Sequence, residues 1–359
     1  MNLSDSLGPD IIKLAEEKGI GSVSIHKILK QSGRDISRTT VTRILRDYRN
    51  KLGKPRPRGS NIPDFDIGNL PSSGATLDEV LLNRKKESKR VAHAKESRRL
   101  IPVEVKADGP IGILHMGDPH VDDPGADIFA IERDIDLCNS VDGLFAANVG
   151  DLQNNWIGRL APLWKKQGAT AEEAWLLVEW VVKSNKWLYL IGGNHDEWTD
   201  APSKSKGDPI KWMMDQGKGG LYEPHGARLV LNFPNERKIR INARHDFRGH
   251  SMWNPAHGVA KAAQMGWRDH ILTCGHLHIS GYQMLKDPAS GLISHAMRVA
   301  SYKKYDEYAH TLGLPDQNVS PSVVTIIDPQ FSDDDPRLIT VFHSSEEGAE
   351  FLKWKTSKK

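Results

Sequence analysis

Hydrophobic residues recur at helical spacing in three short runs between residues 10 and 52. The first run, from Asp10 to Lys18, places apolar side chains on one stripe and stops at Gly19, a residue suited to a left-handed helix cap. The second run begins at Ser24 and ends before Gly33. These runs, with the third described next, predict three short helices.

The third helix carries the clearest signals. Ser37 is a good N-cap, and Ile36 before it can pack on Val41 as a hydrophobic staple. Apolar residues then repeat every three or four positions as far as Leu52, which predicts one buried face. The opposite face carries basic and hydroxyl side chains, namely Arg38, Thr39, Thr42, Arg43 and Arg46.

A linker and a charged helix are predicted between residues 53 and 100. Proline, glycine and serine without hydrophobic periodicity occupy residues 53–74, which is typical of a linker. Residues 76–99 combine a thin apolar stripe with a dense run of charge, which predicts a solvated connecting helix. The predicted domains are therefore residues 1–52 and 101–359, with residues 53–100 between them.

After Pro102 the pattern changes to short apolar runs that end in polar clusters, which predicts strands. Helical patterns lie among them, at residues 170–184, where Thr170 and Glu173 form a capping box, and from His257 to Trp267. The alternation predicts an α/β domain. The predicted strands are 111–116, 144–149, 187–191, 228–231, 238–243, 271–273, 292–300 and 322–327.

Side chains that can bind metals follow most of these strands. Functional residues of α/β proteins collect at the carboxyl ends of strands, and hard cations take carboxylate, amide and imidazole ligands. We therefore predict a metal site assembled from five separate segments. Its candidate residues are Asp118, His120, Asp151, Asn194, His195, His245, His276 and His278.

Composition excludes several other kinds of protein. The 359 residues include only two cysteines, Cys138 and Cys274, so neither a disulfide framework nor a Cys-only zinc site can form. No apolar run approaches the roughly 18 residues of a membrane span, and the first residues lack a secretory signal pattern. We expect a cytoplasmic protein without a membrane partner.

Charge is distributed unevenly along the chain. The formal net charge is +3, but residues 1–60 carry 13 basic and 6 acidic side chains, a charge of +7. Residues 101–359 carry 28 basic and 34 acidic side chains, a charge of −6. A polyanion is therefore expected to bind the first segment rather than the second.

The five blocks of candidate ligands occur in the order D-x-H, G-D, G-N-H-D, a lone His and G-H-x-H. In this order, over about residues 111–278, the chain resembles the calcineurin-like metallophosphoesterase superfamily. The resemblance implies a four-layer α/β/β/α sandwich that hydrolyses a phosphoester with two divalent metal ions. Mn²⁺ is the expected metal, with Fe, Zn, Ni or Mg as alternatives.

The resemblance also implies a role for each block. Asp151 would bridge both metals through its carboxylate, and a hydroxide shared by the metals would attack phosphorus. His195 would protonate or stabilise the leaving oxygen. The ligands of the first and the second metal would be, respectively, Asp118, His120 and His278, and Asn194, His245 and His276.

The chain departs from the protein phosphatase branch of this superfamily. The arginines that hold a phosphomonoester there are missing from the second and third blocks, and Asn154 stands where a carboxylate often supports the catalytic His. The fourth block is ambiguous, because His245, His250 and His257 all lie in range; we choose His245 because it directly follows its strand. Asp123 is expected to affect neither metal binding nor activity.

Substrate contacts are predicted more coarsely. Arginines near the blocks could contact phosphate, and tryptophans near them could stack on a base. For each of them, a surface arginine or a packed tryptophan is the favoured interpretation. The candidates are Arg159, Arg244, Arg248, Trp156 and Trp253.

Residues 8–52 resemble the helix-turn-helix class of DNA-binding domains, because the last of three short helices exposes Arg and Thr near its N-terminus. Such units also serve as protein-docking modules. The combination of domains resembles uncharacterised bacteriophage and prophage proteins, which would place the protein in a host cytoplasm. The expected function is a phosphodiesterase or nuclease. The alternatives are a DNA-binding regulator with an inactive or nucleotide-sensing phosphoesterase domain, and a small-molecule phosphomonoesterase.

Overall fold

The structure is a computed structural model that describes residues 3–52, 74–156, 158–197, 208–251 and 253–358. Contacts within the chain divide it into two units, residues 1–80 and 81–359. Almost all of the predicted linker, residues 53–73, lies outside the described residues.

The first unit contains the three predicted helices: α1 (Leu3–Lys18), α2 (Ser22–Gln31) and α3 (Arg38–Lys51). α1 begins seven residues before the predicted start. Ile11, Ile25 and Val41 are fully buried where the three helices meet. Burying one such side chain contributes about 2 kcal/mol to folding, so this small core stabilises the unit.

Local signals at the helix ends act as predicted. The Ser37 hydroxyl accepts a hydrogen bond from the Thr40 N–H at 3.1 Å, which caps α3. Ile36 and Val41 are buried in the same core cluster, as a hydrophobic staple requires. Gly19 and Gly33 follow α1 and α2 in the left-handed region, with φ of 58° and 75°.

The charged stretch forms the helix α4 (Leu77–Ser97), none of whose residues is buried. Its N-terminus has a capping box, in which Thr76 and Glu79 exchange hydrogen bonds between side chain and main chain. The prediction of a solvated helix is confirmed.

Within the described residues, the second unit has two six-stranded sheets and a set of helices. The helices are α5 (Ile128–Ser140), α6 (Ala171–Ser184), α7 (Asn194–Glu197), α8 (Pro209–Gln216), α9 (His257–Ala262), α10 (Glu307–Thr311) and α11 (Ser345–Thr356). The strands are β1 (Ile101–Glu104), β2 (Ile111–Met116), β3 (Leu144–Asn148), β4 (Trp187–Ile191), β5 (Leu221–Glu223), β6 (Gly226–Asn232), β7 (Lys238–Arg244), β8 (Ile271–Cys274), β9 (Gly281–Lys286), β10 (Ile293–Arg298), β11 (Ser322–Ile327) and β12 (Ile339–Phe342).

Both sheets mix parallel and antiparallel pairs. One has the strand order β12-β11-β2-β3-β4-β5, in which β2 to β5 run parallel. The other has the order β1-β6-β7-β8-β10-β9, in which β7, β8 and β10 run parallel. Parallel neighbours end on the same side of a sheet, so the loops that follow them lie together.

Apolar clusters place the elements in the order helix, sheet, sheet, helix. Ile131 of α5, Val178 of α6 and Leu352 of α11 pack on one face of the β2 sheet. Its other face, including Ile113, packs against Ile241 of the second sheet. α9 covers the outer face of that second sheet through a third cluster. The predicted α/β architecture is confirmed.

Candidate metal centre

The candidate ligands lie at the carboxyl ends of five strands. Asp118, Asp151 and Asn194 follow β2, β3 and β4, which are adjacent and parallel. His245 and His276 follow β7 and β8, a parallel pair in the other sheet. The two sheets thus bring five distant segments of sequence to one place, where most of their polar side chains are buried.

Two glycines of the motifs are required by close approach to carboxylates. A Cβ on Gly193 would lie 2.1 Å from Asp151 Oδ1, and one on Gly275 would lie 2.2 Å from Asp118 Oδ1. Both distances are far below van der Waals contact. The glycines in G-G-N-H and C-G-H therefore leave space for the carboxylates that the site holds.

Four of the candidate ligands have a positive φ: His120 (42°), Asp151 (54°), His276 (73°) and His278 (54°). Asp and His tolerate the left-handed region better than most residues, but each such position costs on the order of 1 kcal/mol or more. Packing of the sheets must hold this strain, and strained positions concentrate at functional sites.

The first group of ligand atoms comprises Asp118, His120 and His278, whose donor atoms all lie within 4.8 Å of one another. The Nε2 atoms of His120 and His278 are 3.1 Å apart. His278 Nε2 lies 3.4 Å from Asp118 Oδ2, which also accepts a hydrogen bond from the His276 N–H at 2.7 Å.

The second group comprises Asp151, His245 and His276 under the same 4.8 Å limit. His245 Nε2 lies 3.1 Å from His276 Nδ1, 3.1 Å from Asp151 Oδ2 and 2.9 Å from Asn194 Oδ1. His245 Nδ1 donates to the Val149 carbonyl at 2.8 Å, which leaves Nε2 directed at the cluster.

Asp151, a member of the second group, also lies close to the first. Its Oδ2 is 3.1 Å from His245 Nε2 in the second group and 3.9 Å from His120 Nε2 in the first. Its Oδ1 accepts a hydrogen bond from the His195 N–H at 2.9 Å. One carboxylate therefore reaches donor atoms of both groups.

The residues fit a pair of divalent cations. Two ligands at right angles on an ion, with bonds of about 2.1 Å, lie about 3 Å apart, close to the His–His separations seen here. In the described part of the chain, the buried Asp118 Oδ1 has no hydrogen-bond partner, so an acceptor remains for a cation. The mixture of carboxylate, amide and imidazole suits Mn, Fe or Zn.

Burial and mutual contacts shift the pKa values of the candidate ligands. Burial raises the pKa of Asp118 to about 7. Burial also disfavours the charge of Asp151, but the contact with His245 outweighs it and holds the pKa of Asp151 well below its usual range. Although burial opposes it, the same contact raises the pKa of His245 to about 10. A cation bound to these ligands would displace that proton.

His195 forms a third group with His120 and Asp151 under the same 4.8 Å limit, and its Nε2 lies 4.0 Å from Asp151 Oδ2. Its Nδ1 donates to the main-chain carbonyl of Asn154, and its ring meets the Trp156 ring edge-on at 5.5 Å between centroids. Burial lowers the pKa of His195. Asn154 therefore does support this histidine, but through its carbonyl rather than through the side chain that stands where a carboxylate was expected.

A layer of charged residues behind the ligands was not predicted from the sequence. Asp306 Oδ2 lies 3.1 Å from His278 Nδ1 and 3.8 Å from the buried Lys303 Nζ. Lys303 Nζ lies 3.0 Å from Asp123 Oδ2, which accepts a hydrogen bond from Asn154 Nδ2 at 2.9 Å. The Lys303 ammonium group thus connects Asp306, which contacts His278, with Asp123, which contacts Asn154 beside His195. Asp123 therefore contacts the surroundings of the site, which it was expected not to affect.

Two further buried charges fix the loops. Asp196 accepts the main-chain N–H groups of Gly193 and Asp151 at 2.8 Å each and that of Leu152 at 3.0 Å, which ties the second and third blocks together. Arg298 is almost fully buried and donates to the Gly275 and Pro255 carbonyls and to Asp246. Asp196 could have been noticed as the last residue of G-N-H-D, whereas Arg298 carries no sequence signal.

The remaining candidate residues near the site differ in exposure and in their contacts. His250 and Arg248 are exposed, and among the described residues it is His245, not His250, that joins a ligand group. Arg244 packs its guanidinium over the Phe247 and Trp267 rings, at 5.9 and 5.4 Å. Trp253 is exposed, and the side chain of Arg159 lies outside the described residues.

In the first unit, the five candidate DNA-contacting residues are exposed on α3. The Thr42 hydroxyl donates to the Arg38 carbonyl at 2.9 Å, and Arg46 Nε lies 3.6 Å from Asp47. The exposed face is therefore basic, with part of the charge of Arg46 offset by its neighbour.

Comparison with known proteins gives remote likenesses. No family model and no curated protein matches the chain. Among solved structures, it is similar to a predicted phosphoesterase from Streptococcus pneumoniae, at 14% identity over 66% of this chain and 100% of that one, with a TM-score of 0.28. It is similar to the calcineurin-like phosphoesterase YfkN from Bacillus subtilis, at 11% identity over 70% and 98%, with a TM-score of 0.34.

A third similar structure is the nuclease MPE from Pseudomonas putida, at 15% identity over 64% of this chain and 87% of that one, with a TM-score of 0.29. These likenesses are too remote to carry an argument about function, which is therefore inferred from the side chains of the site.

No helix within the described ranges is both long enough and apolar enough to cross a membrane.

Proposed function

We propose that this protein is a two-metal-dependent phosphoester hydrolase of the calcineurin-like type. One observation carries the proposal: Asp151 belongs to one group of candidate ligands, with His245 and His276, and its Oδ2 also lies 3.9 Å from His120 Nε2 in the other group, with Asp118 and His278. A carboxylate within reach of both groups is what two adjacent cations need as a bridge. Asn194, with its amide oxygen 2.9 Å from His245 Nε2, would complete the second group.

When bound, such a metal pair supplies a hydroxide at neutral pH and stabilises the charge that develops on the phosphoryl oxygens. The protein residues place these groups. Asp151 sets the separation of the two ligand groups, and Asp306 orients His278 through its Nδ1. His195, whose Nδ1 is fixed on the Asn154 carbonyl, presents Nε2 to protonate the leaving oxygen.

The complete ligand set favours an enzyme over the alternative of a regulator with an inactive phosphoesterase domain. A phosphodiester substrate is favoured over a monoester because the blocks lack the phosphatase arginines and because residues 1–60 carry a charge of +7. Nucleic acid or a nucleotide is thus the proposed substrate, Mn²⁺ the proposed metal, and a cytoplasm the proposed location, that of a host cell for a phage-encoded chain.

An activity screen tests this proposal. The protein loaded with Mn²⁺ is expected to hydrolyse bis-p-nitrophenyl phosphate faster than p-nitrophenyl phosphate, and to nick plasmid DNA. Chelation followed by gel filtration should abolish all three activities, and Mn²⁺ should restore them, because the hydroxide nucleophile depends on the metals. Full activity in the metal-stripped protein would refute the two-metal mechanism.

We further propose that residues 1–52 bind duplex DNA and deliver it to a catalytic domain formed by residues 101–359. The support is the exposed face of α3, on which Arg43 and Arg46 lie away from the buried Val41 and Leu45, with the exposed Arg38 at the N-terminus of the helix. Basic side chains on one face of a capped third helix are typical of a recognition helix.

Salt dependence of DNA binding tests the role of this face. In the full chain, Arg43→Ala with Arg46→Ala is expected to flatten the slope of log K against log salt by about 0.9 for each phosphate no longer neutralised, or roughly 1.8 in all. The matched control, Lys13→Ala with Lys30→Ala, removes the same charge from exposed positions on α1 and α2 and should leave the slope unchanged. If the two double variants have equal slopes, this face does not bind DNA, and the helices would be assigned to protein docking instead.

A further inference from the structure

A cavity of about 500 Å³ opens beside the metal centre. Its lining includes Asn154, Trp156 and Lys303 on the side of the site, and Tyr305, Leu163 and Thr311 farther out. This volume lies in the range of pockets that bind small molecules. Neither the candidate metal ligands nor His195 lines this cavity, so the proposed hydrolysis does not by itself assign it a function.

Two residues that contact His195 line the cavity. Trp156, which lines the cavity, contacts the His195 ring edge-on, and the carbonyl of Asn154, also in the lining, accepts the His195 Nδ1–H. Asp306, in the same wall, contacts His278 Nδ1 at 3.1 Å. A phosphoester held at the metal centre, with its leaving oxygen at His195, would therefore direct its leaving group toward this cavity.

The outer wall is built on a tightly packed backbone. The Lys304 N–H donates to the Gly125 carbonyl at 2.9 Å, and a Cβ on Gly125 would lie 1.9 Å from the Tyr305 carbonyl oxygen. Ala126 and Lys303 pair as an isolated β-bridge. The main chain that carries Tyr305 is thus fixed, while the tyrosine side chain is 55% exposed and presents its ring.

The charges of the cavity are already paired. Lys303 Nζ lies 3.0 Å from Asp123 and 3.8 Å from Asp306, and it also lies over the Trp156 ring at 5.4 Å. Lys166 forms an ion pair with Glu307. Among the described residues of the lining, both lysines are thus neutralised, so a second phosphate would find little attraction, whereas a flat uncharged ring would gain stacking.

We propose that this cavity binds the base of a nucleotide whose phosphate lies at the metal centre, with Tyr305 as the stacking surface. The inference rests on the proposed function and makes it more specific: the leaving group is a nucleoside. Base stacking on an aromatic side chain tolerates different bases, so the cavity would prefer nucleosides as a class rather than one sequence.

The affinities of a matched pair of ligands test the proposal by a readout other than activity. Ribose 5-phosphate has the same phosphate and sugar as adenosine 5′-monophosphate but a hydroxyl in place of the base, so calorimetry of both on the Mn²⁺-loaded protein measures the contribution of the base. We expect adenosine 5′-monophosphate to bind roughly 5- to 150-fold more tightly, the range that corresponds to stacking of one base. Tyr305→Ala should bring this ratio close to one, and Tyr305→Phe, which keeps the ring, should preserve it.

An exposed aromatic residue elsewhere provides the control. Trp212→Ala, on α8, removes a ring that is 59% exposed and outside the cavity, and should not change the ratio. Equal affinities of the wild type for the two ligands, or a ratio unchanged in Tyr305→Ala, would overturn the proposal. A base preference without hydrolysis of bis-p-nitrophenyl phosphate would refute the hydrolase function and support the nucleoside site. Hydrolysis without a base preference would support the hydrolase function and refute the nucleoside site.

Discussion

Asp151→Asn is expected to release most of the bound metal and to abolish hydrolysis. The amide keeps nearly the shape of the carboxylate but removes the negative charge between the two ligand groups, where Asp151 Oδ2 lies 3.1 Å from His245 Nε2. Neither group retains enough anionic ligands without it, and affinity for hard divalent cations depends on carboxylate charge. Elemental analysis after gel filtration and the rate on bis-p-nitrophenyl phosphate measure the two losses.

The control for this substitution must be chosen from the structure. Asp123 is unsuitable, because its carboxylate contacts Lys303 and Asn154 behind the site. Asp136 is exposed on α5, so Asp136→Asn removes the same charge and should retain both metal and activity. Normal metal content and activity in folded Asp151→Asn, with folding checked by circular dichroism, would show that Asp151 is not the bridging ligand.

His195→Asn is expected to keep the metals and to lose about 10²- to 10⁴-fold in rate on a nucleotide diester, the usual contribution of a general acid. The side chain lies within ligand distance of His120 and Asp151, but the proposed ligand set fills both metal positions without it, and its Nδ1 is fixed on a carbonyl. The loss should be much smaller for p-nitrophenolate, because a good leaving group hardly needs a proton. Comparison of kcat for the two substrates measures this difference.

His250→Asn is the matched control for His195→Asn, since it removes an exposed imidazole from the same half of the chain. We expect it to retain the metals and the activity, which would also exclude His250 as the ligand of the fourth block. An equal loss for good and poor leaving groups in His195→Asn would indicate that His195 positions the substrate instead of protonating it.

Elements that depend on neighbouring residues could be predicted from the sequence. β2 and β4 have the predicted bounds, and the caps at Ser37 and at Thr170 with Glu173 form as expected. These signals are local, because a cap or a buried strand is recognised within about five residues. β1, β5, β9 and β12 were missed because they are short edge or near-edge strands with half-exposed residues, which produce no continuous apolar run.

The identity of the candidate ligands also came from the sequence, since each lies just after a strand in a recognisable order. The structure brings Asp118, Asp151, His245 and their partners into one site, because the parallel strands end together. Their roles as ligands and the role of His195 remain predictions. Which nitrogen of each histidine faces the site follows from contacts such as that of His245 Nδ1 with the Val149 carbonyl.

The charged residues around the site could not be predicted from the sequence and are seen only in the folded structure. Lys303 and Asp306 lie more than a hundred residues from Asn154 in the chain, and Arg298 lies in a strand whose sequence looks like ordinary core. A buried charge is stable only where a distant partner compensates its loss of hydration, and no local pattern records which partner that is. The elements and the kinds of side chain at their ends could therefore be predicted from local sequence. Which charges meet, how the histidines are oriented and where the cavity opens depend on the packing of the two sheets.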